Sequence, residues 1–405
     1  MAGLTRPPPA DWMTENAVTG LLRTIAPARF VGGAVRDWLL GRPVTDIDIA
    51  TALPPAIVVE RLNASGIRVI PTGLDHGTVT ALVGNRAYEI TTLRRDVETD
   101  GRHARVAFTG DWAEDAARRD FTMNALYAEP DGTLYDPTGG LNDLAIGLVR
   151  FIGDPEQRIA EDRLRLLRYF RFLAWYGKAK PNPGDLEACR SLSGTLGNLS
   201  VERVWMELKK LFAAPDPSEA VALMVRLGVL AEVLPEATVS VEALRTLIRL
   251  EQDKSAAPSA LRRLALLIDH ARIEPLATRL RLSGDEASEL AAMAEVADHY
   301  AEALAAPWPM LRRHGAKHMI DGALIAAARG FGEALALMPI ARSWTDPAFP
   351  ISGGDALALG LKPGPAVGVL LRSVEDWWER RGCIDDRATC LTRLLLESEQ
   401  HNTPN

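Results

Sequence analysis

The most constraining feature of this chain is the point at which its strand signals stop. Up to about residue 150, short β-branched runs alternate with helical patterns and turn residues: Phe30 to Val31, Asp46 to Ala50, Arg68 to Ile70, Thr78 to Val83, Tyr88 to Leu93 and Ala125 to Tyr127. Past Asp154-Pro155, an N-cap candidate followed by proline at the first helical position, Ala/Leu/Arg/Glu-rich helical patterns continue to the end. The pattern predicts a mixed α+β unit, a mixed sheet with flanking helices, followed by an all-α remainder with no repeat of fixed period. At 405 residues the chain exceeds a single usual domain. Breaks at Pro181 to Gly184, Pro215 to Pro217 and Ala306 to Pro309 divide the helical part, giving expected units at 1–150, 151–214, 215–306 and 307–405.

Composition narrows the function classes. A hydrophobic share of 47% with 24% charged residues excludes a disordered, collagenous or fibrous chain. The longest apolar stretches, such as Leu264 to Ile268, fall far below the ~20 residues of a membrane span. Cys189, Cys383 and Cys390 lack paired metal-ligand spacing and suit a reducing cytoplasm, and the proline-rich opening shows no export signal. A net charge of -7 rules out a uniformly basic surface, so a nucleic-acid partner requires a local positive stripe. Only seven of the 46 cationic residues are lysines, so phosphate recognition is expected from arginine.

Four constellations carry chemistry. Phe30-Val31-Gly32-Gly33-Ala34-Val35-Arg36-Asp37 reads as a strand entering a double glycine and then a helix, a turn through which backbone N–H groups can approach a triphosphate; taken alone it is equally a tight turn. In Thr45-Asp46-Ile47-Asp48-Ile49-Ala50, period-two alternation puts both carboxylates on one strand face. Without a cation they repel, whereas Mg²⁺ would turn that cost into binding. Glu89, on a later expected strand, can complete the metal cluster, act as general base, or be a solvated edge residue. Arg118-Arg119-Asp120-Phe121-Thr122-Met123-Asn124-Ala125 packs guanidinium, carboxylate and carboxamide groups together and can grip phosphate and ribose. Finally, a helix expected over residues 155–176 carries Asp162 and Arg165 at i and i+3, with Arg165, Arg168 and Arg171 in a slanted row.

These motifs, with Asp136-Pro137-Thr138-Gly139-Gly140-Leu141-Asn142-Asp143-Leu144 and Glu161-Asp162-Arg163-Leu164-Arg165, resemble in order the series of class II tRNA nucleotidyltransferases, the CCA-adding enzymes, and of the similar bacterial poly(A) polymerases. The resemblance is close over Phe30 to Phe172, looser at Ser200-Val201-Glu202-Arg203, and returns at Gly353-Gly354-Asp355 to Trp378. It implies a nucleotidyltransferase head (1–150), a base-recognising neck (151–214), a body (215–306) and a tRNA-binding tail (307–405). It also implies template-independent addition of C, C and A to the tRNA 3′ acceptor end from CTP and ATP, with Mg²⁺ as cofactor.

Residue by residue, the resemblance gives Gly32, Gly33 and Arg36 to the triphosphate, Asp46 and Asp48 to magnesium, and Arg119 with Asp120 to phosphate and ribose. Asp162 and Arg165 become the base-reading pair, helped by Arg168 and Arg171. The chemistry agrees with that assignment. Cytosine and adenine both present an amine donor beside a ring-nitrogen acceptor, so a carboxylate beside a guanidinium pairs with either, while uracil and guanine present the reverse polarity. The segment Arg94-Arg95-Asp96 to Arg105-Val106-Ala107-Phe108-Thr109-Gly110 resembles the flexible loop of enzymes that add the final A. Rival readings are a poly(A) polymerase, an A-adding-only enzyme and a catalytically inactive RNA-binding protein. The acidic end disfavours the first, which commonly carries a basic extension, and the intact acidic pair disfavours the last. No histidine is followed by aspartate, so an added phosphohydrolase activity lacks its dipeptide.

Overall fold

A computed structural model describes residues 6–84, 86–100, 103–238 and 240–401, in two compact units, Met1–Pro235 and Glu236–Asn405. The first unit holds all nine strands seen among the described residues: β1 (Ala28–Val31), β2 (Asp48–Thr51), β3 (Arg68–Gly73), β4 (Thr78–Val83), β5 (Arg86–Thr92), β6 (Arg94–Asp100), β7 (His103–Phe108), β8 (Tyr127–Ala128) and β9 (Leu134–Tyr135). Seven form one mixed sheet in the order β3-β4-β5-β2-β1-β8-β9; β6 and β7 pair separately. The expected α+β head with a helical remainder is what the chain forms.

Alternation decides which sheet face carries chemistry. Phe30, Ile49, Tyr88 and Ile90 are buried, leaving Asp48 and Glu89 pointing the other way. β2 and β5 run parallel with Asp48 in register with Glu89, so two acidic residues from distant sequence stand side by side. The second strand begins at Asp48, and Asp46 precedes it on an exposed approach, shorter than the sequence pattern had suggested.

Within the first unit, the helices that follow residue 154 are fastened to the α+β part by an aromatic cluster. Phe121 packs against Phe151 at 5.0 Å between ring centroids and against Phe172 at 4.9 Å, while Phe151 stacks on Tyr169 at 5.1 Å. Each such pair contributes ~0.5–1.5 kcal/mol beyond its area burial. Backbone bonds from Thr122 N to Arg150 O (3.1 Å) and Ile152 N to Asp120 O (3.1 Å) pin the segment beside Arg118 and Arg119 to the start of the neck. The glycines of the 136–144 motif have a direct cause: a Cβ on Gly140 would lie 2.1 Å from the Thr122 carbonyl oxygen, so only glycine fits there.

The helix expected over residues 155–176 is two helices, Pro155–Glu161 and Leu164–Tyr176. Asp162 between them is extended (φ -146°, ψ 105°), and its Oδ1 accepts the Leu164 N–H at 3.1 Å. An aspartate that bonds the first N–H of the next turn competes with helix continuation, so the chain restarts there.

The second unit is helical throughout its described residues, apart from an isolated bridge between Ala237 and Ile268. Its interior holds a charged network: Glu251 receives Arg262 (2.7 Å) and Arg263 (2.6 Å), and Arg262 also reaches Asp321 (2.8 Å), all four residues being buried. No described helix is long and apolar enough to cross a membrane.

Candidate active site

The glycine turn comes first. Gly32 has φ 71° and ψ -125°, a conformation open to glycine and costly for any other residue. Its N–H donates to Leu126 O at 3.0 Å, so its contribution is the shape of the turn rather than a free donor. A Cβ on Gly32 would sit 3.6 Å from Arg119 Nη1, which places that guanidinium directly over the turn.

Arg36, expected at the triphosphate, is held by groups of the protein. It is 7% exposed, with Nε and Nη2 donating to Asp37 at 3.0 and 2.8 Å and Nη1 to Asn124 Oδ1 at 2.6 Å. The guanidinium lies 4.3 Å from the Tyr176 ring centroid, and Tyr176 Oη donates to Asp37 at 3.2 Å. It braces the glycine-turn helix against the 118–125 segment and the end of the neck helix.

Asp48 carries the clearest electrostatic signature. Burial, then Glu89, then Asp46 push its pKa up to about 6 against the opposing pull of Arg119. The donor set is made only of carboxylate oxygens, the hard ligands that suit Mg²⁺, and a cation there would relieve the repulsion that strains Asp48. Among the described residues no three His, Cys, Asp or Glu side chains close on a metal by themselves. That fits an ion that takes one or two carboxylates and completes its shell with water and substrate phosphate.

Of the remaining predicted residues, Arg119, Asp120, Asp162, Arg165 and Arg168 converge on a cavity of ≈ 280 Å³, whose lining is completed by Arg118, Leu164 and Arg203; Arg171 lies outside that lining. The 118–120 segment and the helices around residues 162–168 therefore share one wall. Asp120 is buried, its Oδ2 receiving Arg168 Nε at 2.7 Å and its Oδ1 receiving Phe121 N and Asn124 Nδ2 at 2.9 and 3.0 Å. Burial raises its pKa, but Arg168 and the two amide donors outweigh it and hold it at about 2. Its oxygens are thus engaged within the protein, and so is Arg171, which pairs with Glu207 at 2.6 Å.

Asp162 and Arg165 face the same cavity but do not pair with each other. Asp162 receives Arg203 Nη2 on both oxygens at 3.2 and 2.9 Å. Arg165 donates to Glu161 at 2.6 Å, to Arg158 O at 3.1 Å and to Arg118 O at 2.9 Å. The intrahelical ion pair suggested by i, i+3 spacing is replaced by these partners because the helix breaks at Asp162. A larger cavity of ≈ 910 Å³ in the second unit, lined by residues including His270, Ala277, Ala291 and Asp298, gathers none of the predicted residues.

Sequence reasoning missed Asp115, Tyr127 and the partner roles of Glu161 and Glu207. Asp115 had a signal: it stands three and four residues before Arg118 and Arg119, the spacing of helix-surface ion pairs. The segment expected to be a flexible loop is the antiparallel ribbon of β6 and β7, paired from Arg94 with Phe108 to Asp100 with His103; Gly101 and Arg102 at its tip lie outside the described residues.

Comparison with known proteins gives the family. Residues 28–150 match the family model described as poly A polymerase head domain, and residues 183–240 match the probable RNA and SrmB-binding site of polymerase A. The mitochondrial CCA tRNA nucleotidyltransferase 1 of Homo sapiens is 36% identical over 87% of this chain and 83% of its own length. The CCA-adding enzyme of Streptococcus gordonii is 32% identical over 86% of this chain and 88% of its own. Among solved structures, the Bacillus stearothermophilus CCA-adding enzyme in complex with CTP superposes with a TM-score of 0.77 at 27% identity, covering 95% of this chain and 98% of that one. The Thermotoga maritima CCA-adding enzyme complexed with tRNA shares the fold, with a TM-score of 0.69 at 19% identity over 97% and 99% of the two chains. With two relatives above 30% identity aligned along most of its length, this chain belongs to the CCA tRNA nucleotidyltransferase family.

Proposed function

We infer that this protein adds C, C and A to the 3′ end of tRNA from CTP and ATP, without a nucleic-acid template. The observation that carries the reading is the convergence of Arg118 and Arg119 from the head with Asp162 and Arg165 from the neck on one cavity. Phosphate-gripping and base-reading groups then meet at one nucleotide. The head model alone, named for poly(A) polymerase, does not separate the two reactions. The relatives aligned beyond the head favour CCA addition.

In this reading the RNA 3′-hydroxyl attacks the α-phosphorus in line and pyrophosphate leaves. Asp46 and Asp48 would hold Mg²⁺, which supplies charge neutralisation at the phosphates and a lowered pKa at a coordinated hydroxyl. Glu89, beside Asp48 in register, is a second group able to take the hydroxyl proton. Arg119 lies over the glycine turn and neutralises phosphate charge, and Gly32 with Gly33 shape the backbone that the triphosphate follows. Asp162 accepts the exocyclic amine of cytosine or adenine and Arg165 donates to the ring nitrogen. The partners they hold now, Arg203 and Glu161, must yield part of their bonds when a base arrives. Arg168, Asp120, Arg171 and Arg36 act around that pair by keeping its wall in place.

The division into head (1–150), neck (151–214), body (215–306) and tail (307–405) is the one we adopt, with tRNA held by the body and tail. A cytoplasmic location remains our expectation, supported by three free cysteines. The deciding experiment supplies each nucleotide separately to tRNAs ending before C or after CC and to an oligoadenylate. Two C residues on the first and one A on the second are expected; a long adenosine run on the third would replace the reading with poly(A) synthesis.

A further inference from the structure

One carboxylate outside the expected motifs organises the phosphate-side wall. Asp115 is 1% exposed, and both its oxygens are crowded with donors. Oδ1 receives Arg118 Nε and Nη2 at 2.9 and 2.6 Å and Arg94 N at 3.3 Å. Oδ2 receives Arg119 Nε and Nη2 at 3.2 and 3.1 Å and Tyr127 Oη at 2.7 Å. Arg118 Nε also reaches Arg94 O at 3.1 Å, so the root of the β6–β7 ribbon closes onto the same carboxylate.

We propose that Asp115 is a positioning residue for nucleotide binding: it holds Arg118 and Arg119 as two parallel forks aimed into the cavity, anchored to the ribbon root and the sheet. The inference rests on the reading that this cavity takes the nucleotide. Asp115 is too buried to touch a ligand; it acts through the arginines. Two guanidinium groups from consecutive residues repel and diverge unless a charge lies between them. A carboxylate offers about four lone-pair directions, enough to engage two forks, while a carboxamide offers one acceptor and turns a donor toward the other fork. The triad of one anion and two cations leaves a net positive charge facing the cavity. Tyr127, from β8, fixes the carboxylate plane, and Arg119 lies 5.5 Å from its ring centroid. Buried Asp115 is held at about 2 because Arg119 and Arg118 outweigh burial, so it stays ionised throughout the working pH range.

The phosphates meet these arginines both before and during transfer, so misplacing them weakens binding more than it slows the chemical step. Asp115→Asn is therefore expected to raise KM for CTP at least tenfold on tRNA lacking its terminal nucleotides, with kcat within about threefold of the parent. Tyr127→Phe, which leaves both ion pairs in place, is expected to raise KM about two- to fivefold while lowering the melting temperature by only a few degrees. Glu251→Gln, in the second unit, serves as the control for lowered stability alone and should leave KM where it is. A folded Asp115→Asn protein with parental KM overturns the proposal. If Asp115→Asn does not fold, Tyr127→Phe decides, and a parental KM there overturns it equally. Should the unmodified protein incorporate no nucleotide, the functional reading falls; should it incorporate normally while the variants match it, only the positioning role falls.

Discussion

Replacing Asp162 by asparagine isolates the base-reading step from everything else the neck does. The carboxamide is isosteric and keeps an oxygen for Leu164 N–H, but loses the charge and one of the two acceptors that face Arg203. That ion pair is about a third exposed on each side, so removing it costs folding only ~0.2–1 kcal/mol, or at most ~2 °C in a chain of this size. Selection should change far more. A carboxylate can only accept, so uracil or guanine, turning an acceptor toward it, leaves a desolvated mismatch costing ~1–3 kcal/mol. Asparagine can rotate its amide and offer a donor instead, erasing that penalty at one of the two reading positions. The ratio of kcat/KM for CTP over UTP should then fall about 5- to 150-fold, through both a poorer CTP reaction and a better UTP one. Single-nucleotide addition to a tRNA ending before C, with each nucleotide titrated separately, measures the ratio. If it is unchanged while the protein remains folded, or if all nucleotides lose activity in equal proportion, side chains on the neck do not choose the base.

Two further outcomes follow from the acidic groups. Asp48→Asn should abolish incorporation of every nucleotide and leave CTP binding measurable by equilibrium titration; residual transfer within tenfold of the parent would remove Asp48 from the metal-binding role. Asp185 is 3% exposed, and burial pushes its pKa up to about 6. The folded protein therefore binds a proton there that the unfolded chain, with a carboxylate pKa near ~3.9, releases, so stability is fully present below pH ~4 and declines as pH rises to ~6. Asp185→Asn should be the more stable protein at pH 7.5 by up to ~3 kcal/mol and equal to the parent below pH ~4; denaturant midpoints that differ by the same amount at both values contradict this.

The head was legible because alternation and turn chemistry are local signals. Ile47 and Ile49 face the core and turn Asp48 outward, as period two requires, and register with Glu89 then follows from the parallel pairing of β2 and β5. The ribbon of β6 and β7 was read as a loop because a two-stranded element standing apart from the main sheet shows little apolar alternation. The break at Asp162 was hidden because periodicity on both sides stays in phase with a single helix, and only the capping preference of aspartate marks the interruption. Charged residues were harder still. Glu251, Arg262, Arg263 and Asp321 read as surface in a helical sequence yet are buried together, since partners at separations of up to 59 residues leave no local trace. The same holds for Arg36 and Asp120, whose residue types suggest ligand contact while their partners in the structure are other groups of the protein.

The interruption between Pro155–Glu161 and Leu164–Tyr176 bears on how the proposed pocket would serve two rings of unequal size. Had both readers ridden a continuous helix, their separation would be locked by its pitch, and a gap tailored to a pyrimidine would refuse a purine. With Asp162 on an extended joint and Arg165 on the rigid segment beyond it, small rotations about the joint can widen or narrow the jaw while one side stays still. If Asp162 and Arg165 read the base as proposed, the switch from the second to the third nucleotide would require no exchange of parts, only a change of span.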